Sequence, residues 1–238
     1  MARKKWIFMG VSFALLAMAA CGAIFWALWQ VPEFYTQAAS TVPSDPKTRQ
    51  QEAKELVQTT TGLVNDINHS DRWTATFEQS QVNSWVVEEL QRPEFAKLVP
   101  DGIRDPRVLM QTDVLRLGFR MKYKAWDGIA SVIVRPWVTS DLRLALEVEQ
   151  IRAGLIPIPL EETLHELTQD IEEAGFDVEW RQSNGHDVAI IDLASNPKRA
   201  IQLESVKVVD GAVQIVGGLA NAPKIASQPQ PSTHEKRN

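Results

Sequence analysis

Two groups of residues in this chain have the types and spacing to do chemistry, and neither completes a reaction centre. Glu162, His165 and Glu166 stand at i, i+3 and i+4. They would share one helix face, where carboxylates and an imidazole can ligate a metal ion. A bundle-type metal site needs a second such motif on another helix. The sequence contains none, so the trio reads as a solvated charged face. His186 and Asp187 follow a turn glycine, with no serine or cysteine organised beside them as a nucleophile. His69 and His234 are scattered. No GxxxxGK(S/T) loop, GxGxxG fingerprint or GxSxG elbow occurs. No catalytic residue, metal or cofactor is expected.

A third group suits binding better than catalysis. Leu115, Leu117, Phe119, Met121 and Tyr123 alternate with Arg116, Gly118, Arg120, Lys122 and Lys124. That period of two gives a strand with one apolar and one basic face. Asp127-Gly128 predicts a two-residue hairpin turn. Pairing across it would set Tyr123 by Val132, Met121 by Val134 and Phe119 by Pro136. A further strand over 142–151 would carry Leu142, Leu144, Leu146 and Val148 on one face. A turn at Thr139-Ser140-Asp141 would align Val138 with Leu142. The apolar face then gathers Leu117, Phe119, Met121, Val134 and Leu144 into a candidate trough for an apolar ligand.

The opposite face of the same register would put Lys124 by Ser131, Lys122 by Ile133, Arg120 by Arg135 and Gly118 by Trp137, with Arg143 next to Trp137. Arg120, Arg135 and Arg143 around Trp137 could hold an anionic headgroup or a partner's carboxylate. Glu147 and Glu149 on that face would neutralise part of it, and an ordinary solvated face with cross-strand ion pairs is the alternative.

These strands need a frame. A helix is predicted from about Lys47 to Asn68-His69, with Ala53, Leu56, Val57, Leu63, Val64 and Ile67 on one face. A short strand over 73–77 follows, then a helix over 79–91 with Val82, Trp85, Val86 and Leu90 as its apolar stripe. Pro93 and Pro100 bracket a loop. Ile156-Pro157-Ile158-Pro159 must be extended, because each proline disfavours helix in the residue before it. A helix follows, with Leu160, Leu164, Leu167, Ile171 and Ala174 as its stripe. Asn184-Gly185 and Asp210-Gly211 predict two more hairpins. From about Leu219 the composition is that of a disordered tail. The expected class is α+β, a curved antiparallel sheet with helices packed on one face.

At the N-terminus Arg3, Lys4 and Lys5 precede an uncharged run over residues 6–29, with Trp6 at one end and Trp26 and Trp29 at the other. At ~1.5 Å per residue the run reaches about 36 Å as a helix, enough to cross a hydrocarbon core of about 30 Å. Basic residues on the leading side predict a cytoplasmic N-terminus and an exported remainder. A cleaved signal or a lipoprotein site at Met18-Ala19-Ala20-Cys21 would be followed by polar sequence. Gly22-Ala23-Ile24-Phe25-Trp26-Ala27-Leu28-Trp29 follows instead, so the run is read as a retained transmembrane anchor. Cys21 is the only cysteine, so the exported part cannot form an internal disulfide. The division is then 1–30 for cytoplasmic tip and anchor, 31–46 for a proline-punctuated linker, 47–218 for the α+β domain and 219–238 for the tail. The net charge of −5 argues against a nucleic-acid partner.

Three segments occur in an order that resembles the YpmS-like family of membrane-anchored, exported bacterial proteins. They are Phe77-Glu78-Gln79-Ser80-Gln81-Val82-Asn83-Ser84-Trp85, then Gly154-Leu155-Ile156-Pro157-Ile158-Pro159, then Val206-Lys207-Val208-Val209-Asp210-Gly211-Ala212-Val213-Gln214-Ile215. The resemblance spans about residues 77–217, and the chain departs from it in the acidic helix of the 160s and the proline-rich stretch at 93–106. It implies a likeness to curved-sheet lipid-binding modules, with an apolar groove between sheet and helix. The expected role is a non-enzymatic, membrane-tethered domain in the periplasm or outside the cell that binds a lipid or other apolar molecule. The alternatives are an envelope assembly or scaffold protein docking a protein partner, and more weakly an envelope hydrolase.

Overall fold

A computed structural model describes residue 16 and residues 18–90, 92, 102–123, 126–158, 177–183, 185–193 and 201–219. The described elements begin with α1 (Glu33–Ser40), α2 (Pro46–His69), β1 (Arg72–Glu78) and α3 (Gln79–Glu88). The strands β2 (Ile103–Gln111), β3 (Val114–Tyr123), β4 (Trp126–Val138), β5 (Leu144–Ala153) and β6 (Ile156–Pro157) follow. The chain closes on β7 (Asp177–Ser183), β8 (His186–Asp192), β9 (Ile201–Val209) and β10 (Ala212–Leu219). The class is α+β, and every strand pair is antiparallel.

Instead of one sheet there are two. β1-β10-β9 form a three-stranded sheet, and β2-β3-β4-β5-β8-β7 run through a seven-stranded one, with β6 beside β5. The β9–β10 and β2–β3 turns clasp each other. Asp113 N–H donates to Val208 O at 3.1 Å, Gly211 N–H to Met110 O at 3.0 Å, and Thr112 N–H to the Asp210 carboxylate at 2.9 Å. The expected pairings of β7 with β8 and of β9 with β10 form, with Ser183 opposite His186 and Val209 opposite Ala212.

Residues 31–46 are not a linker. Pro32 caps α1, whose Tyr35 and Ala38 are buried. Phe34 and Tyr35 lie against Gly118, where an added Cβ would stand 2.9 Å from each ring. The Tyr35 hydroxyl donates to Asp105 O at 2.6 Å. Asp45 then caps α2 by accepting from Thr48 N–H at 2.9 Å, and Pro46 fills the first helical position, where a missing N–H costs nothing. Two of the prolines read as linker punctuation, Pro32 and Pro46, mark helix starts.

β2 begins just beyond the loop expected between Pro93 and Pro100, which lies outside the described residues. Pro106 sits at a register irregularity between Arg104 and Arg107, on an edge strand, a setting in which a sheet tolerates proline. The predicted stripe of α3 also gives way. Val82, Trp85, Val86 and Leu90 are only half-buried, and the buried residues are Gln79, Asn83 and Ser84.

Two registers differ from expectation by even numbers of residues, so each face keeps its composition. Tyr123 stands opposite Trp126, and Asp127 and Gly128 belong to β4. Phe119 therefore pairs with Ala130 rather than Pro136, and Met121 with Gly128 rather than Val134. The Thr139-Ser140-Asp141 turn is a longer loop. Thr139 N–H donates to Arg143 O at 2.9 Å, Leu142 takes φ 64°, and Val138 faces Leu144.

The helix that includes residues 18–28 is the visible part of the N-terminal apolar run. Among the described residues, no helix is long and apolar enough to cross a membrane. Residues 1–15 and 17 lie outside the described residues. So do the expected 160–174 helix, with Glu162, His165 and Glu166, and the tail from 220 onward.

Candidate functional site

The apolar face of the seven-stranded sheet forms around the expected residues, in a different register. Leu115 faces Val134, Leu117 faces Val132 and Phe119 faces Ala130. Val134 then faces Val148 across a register irregularity in the β4–β5 pair, and Leu144 lies between Val138 and Ile191. Leu117, Phe119, Met121, Val134 and Leu144 are thus on one face, and each is half-buried. Met110, Ala130, Pro136 and Val148 on that face are fully buried. This face is neither a sealed core nor open to water.

The opposite face does not gather an arginine cluster. Arg120 pairs with Ile129 and approaches Asp127 at 3.8 Å. Arg135 pairs with Glu147 across the ladder and binds Glu149 at 2.5 Å. Arg143 leaves the ladder, binding Asp141 at 2.6 Å and Glu179 at 3.2 Å. Trp137 stands opposite Ala145 and packs on the buried Ala145, Val188 and Ile190. Gly118 faces Ser131, and Lys122 faces Asp127. The expected adjacency failed because it depended on the register, and each arginine lies against a different carboxylate, with Asp127 shared by Arg104 and Glu179 by Arg181. Hydrogen bonds from Thr139, then from Arg143, hold the Asp141 carboxyl below the ordinary carboxylate range. Those from Arg181, then Arg143, do the same for Glu179. Burial pushes the Tyr35 phenol up, with Arg107 opposing.

His186 and Glu147 meet at 2.5 Å between Nδ1 and Oε1. This is a carboxylate–imidazole pair without an organised nucleophile. Among the described residues, no group of three or more His, Cys, Asp or Glu could hold a metal ion. An open depression of about 470 Å³ lies elsewhere, against Asp66, Ser70, Arg72, Trp73, Thr74 and Val216. None of these residues stood out in the sequence as a site residue, and the buried Trp73 Nε1 beside it has no partner.

The most specific polar arrangement was also missed in the sequence. Asn83 Nδ2 donates to Val108 O at 2.8 Å, and its Oδ1 accepts Val108 N–H at 2.9 Å. Gln79 Oε1 accepts Met110 N–H at 2.6 Å. Four residues of helix rise about 6 Å and two residues of strand about 6.6 Å, so amides at i and i+4 match alternate residues of an edge strand. The signal was Gln79-x-x-x-Asn83, inside a segment whose apolar residues drew the eye. Ser84 Oγ donates to Glu52 at 2.7 Å and ties α3 to α2, as does the Arg49–Glu88 ion pair.

No protein-family model matches the chain, and neither the curated proteins nor the solved structures include one similar to it.

Proposed function

We propose that this chain is a membrane-tethered, non-enzymatic binding domain facing the periplasm or the cell exterior. It holds a lipid or other apolar molecule on the apolar face of its seven-stranded sheet. The observation that carries the reading is the half-buried state of Leu117, Phe119, Met121, Val134 and Leu144. The arginines expected to recruit an anionic group are engaged with carboxylates, which leaves the apolar face as the better ligand surface. An acyl chain there would gain about 0.8 kcal/mol per buried methylene. The basic residues ahead of the apolar N-terminal run support the tether and its orientation. The YpmS-like resemblance implies a groove of the same kind.

The runner-up, an envelope scaffold docking a protein partner, is favoured by Val57 and Val64. They are 47% and 52% exposed, two turns apart on α2. One experiment separates the two. Native mass spectrometry of the full chain, gently extracted, should find bound lipid. Phe119→Trp should reduce that lipid by filling space, while the domain still melts cooperatively. A wild type without lipid, and a Phe119→Trp variant merely destabilised by roughly 1–3 kcal/mol through overpacking, would favour the scaffold.

A further inference from the structure

The N-terminal helix does not end in free chain. Helical residues run to Leu28, and the sheet meets the last carbonyls. Leu155 N–H donates to Ala27 O at 3.0 Å, and the Trp126 indole N–H donates to Leu28 O at 3.1 Å. Carbonyls at a helix C-terminus have no intrahelical donor, and unmet ones are costly near a bilayer. Gly154 makes the close approach possible. Its φ is 58°, and a Cβ there would stand 2.5 Å from both carbonyl oxygens. Gly128 contributes in a second way, lying under the Trp126 ring, where a Cβ would meet Cζ2 at 2.5 Å.

The loop attached to this joint is apolar. From Ala153 through Gly154-Leu155-Ile156-Pro157-Ile158-Pro159 to Leu160 the sequence carries no charge. Leu155 and Ile158 are 41% and 37% exposed, and Trp26 and Trp29 at the helix end are 62% and 44% exposed. Single exposed apolar side chains are ordinary, but a contiguous group marks an interaction surface. The backbone is prepared for a medium without hydrogen-bond donors. Gly154 N–H donates to Ile129 O at 2.7 Å and Ile158 N–H to Ile151 O at 2.9 Å.

We propose that the segment from Gly154 to Ile158, with β6 at its centre, is a second membrane contact: Leu155 and Ile158 enter the interfacial layer beside the N-terminal helix and seat one end of the seven-stranded sheet on lipid. This rests on the reading of the N-terminal run as a membrane anchor. The occupant is a bilayer because the patch is continuous with that run and with its tryptophans, which favour the headgroup level. The seat also orients the apolar face. Met121 and Gly128 pair near the β3–β4 turn, and at ~3.3 Å per residue Phe119 lies about 13 Å from that turn. Phe119 and Met121 thus lie in the half of the face nearer the proposed seat.

The test uses the full chain in nanodiscs of phosphatidylcholine and phosphatidylglycerol containing lipid spin-labelled near the headgroup. On a Cys21→Ser background, Trp29→Cys, Leu155→Cys, Ile158→Cys and Ser140→Cys each carry an environment-sensitive fluorophore. Ser140 is exposed in the β4–β5 loop at the far end of the sheet. Circular dichroism confirms that each variant keeps its secondary structure. The expected result is quenching at Leu155→Cys and Ile158→Cys as strong as at Trp29→Cys, with Ser140→Cys unquenched. Strong quenching at Trp29→Cys, with Leu155→Cys and Ile158→Cys as bright as Ser140→Cys, would overturn the second contact and leave the anchor standing. Absence of quenching at Trp29→Cys as well would overturn both. Equal quenching at all four positions would overturn a defined seat.

Discussion

The α3–β2 seam and the apolar face of the seven-stranded sheet reverse the usual relation between polarity and burial. Asn83 and Ser84 are completely buried and Gln79 nearly so, at 5% exposure. Leu117, Phe119 and Met121, on the strand next to β2, stay half-buried. The difference lies in what each set meets. The amides find backbone groups at matching spacing, and a satisfied polar group can be buried without penalty. The apolar face has no such directional partner. The seam is therefore fixed in geometry by directional bonds, and the apolar face is held by packing alone.

The strongest way to break this contrast is to truncate both sides of it. Asn83→Ala leaves Val108 N–H and O unpaired in a buried seam and should lower the unfolding free energy by roughly 3–4 kcal/mol. Leu117→Ala, at a half-buried position, should cost about 1–2 kcal/mol, below the range for sealed cores. Urea titration of the extracted protein measures both, and a larger loss at Leu117 would reverse the comparison. A smaller effect sharpens it. Gln79→Ala removes one acceptor and should cost about 1–2 kcal/mol in the same titration.

The smallest effect belongs to the ionic face. Asp141 and Glu179 have lowered carboxyl pKa values, partly through Arg143. Their contribution to stability is present above the ordinary carboxylate value and is lost as pH falls through the lowered folded-state values. Arg143→Gln should therefore be the less stable protein near neutrality, and the gap should close on acidification below about pH 4. Midpoints compared across that window test this, and a gap that widens in acid would refute the assignment.

The sequence carried the class, most strands and which residues of β3 share its apolar face, because period-two alternation survives any even shift of register. It misled where one residue type serves two ends. Asp127-Gly128 has the composition of a hairpin turn, yet Gly128 is there to lie under Trp126, and Asp127 binds Arg104 at 2.9 Å. β2 was not anticipated, and its Pro106 sits at a bulge. The arginine cluster failed because it needed the absolute register, which hydrophobic pattern alone does not set. The amide seam was illegible for another reason: nothing in a period-based reading asks whether a helix side chain can stand in for a strand.

That substitution bears on how the molecule behaves among its own copies. A bare sheet edge is a template for another chain, and the hazard grows when proteins crowd on one surface. Along β2, Val108 and Met110 have their outward groups taken by Asn83, Gln79 and Gly211. At the other margin, β7 exposes Asp177, Glu179 and Arg181 in alternation, charges that a neighbouring strand would have to strip of water. One margin is satisfied at Val108 and Met110 and the other electrostatically guarded, so both edges resist zipping onto a neighbouring copy.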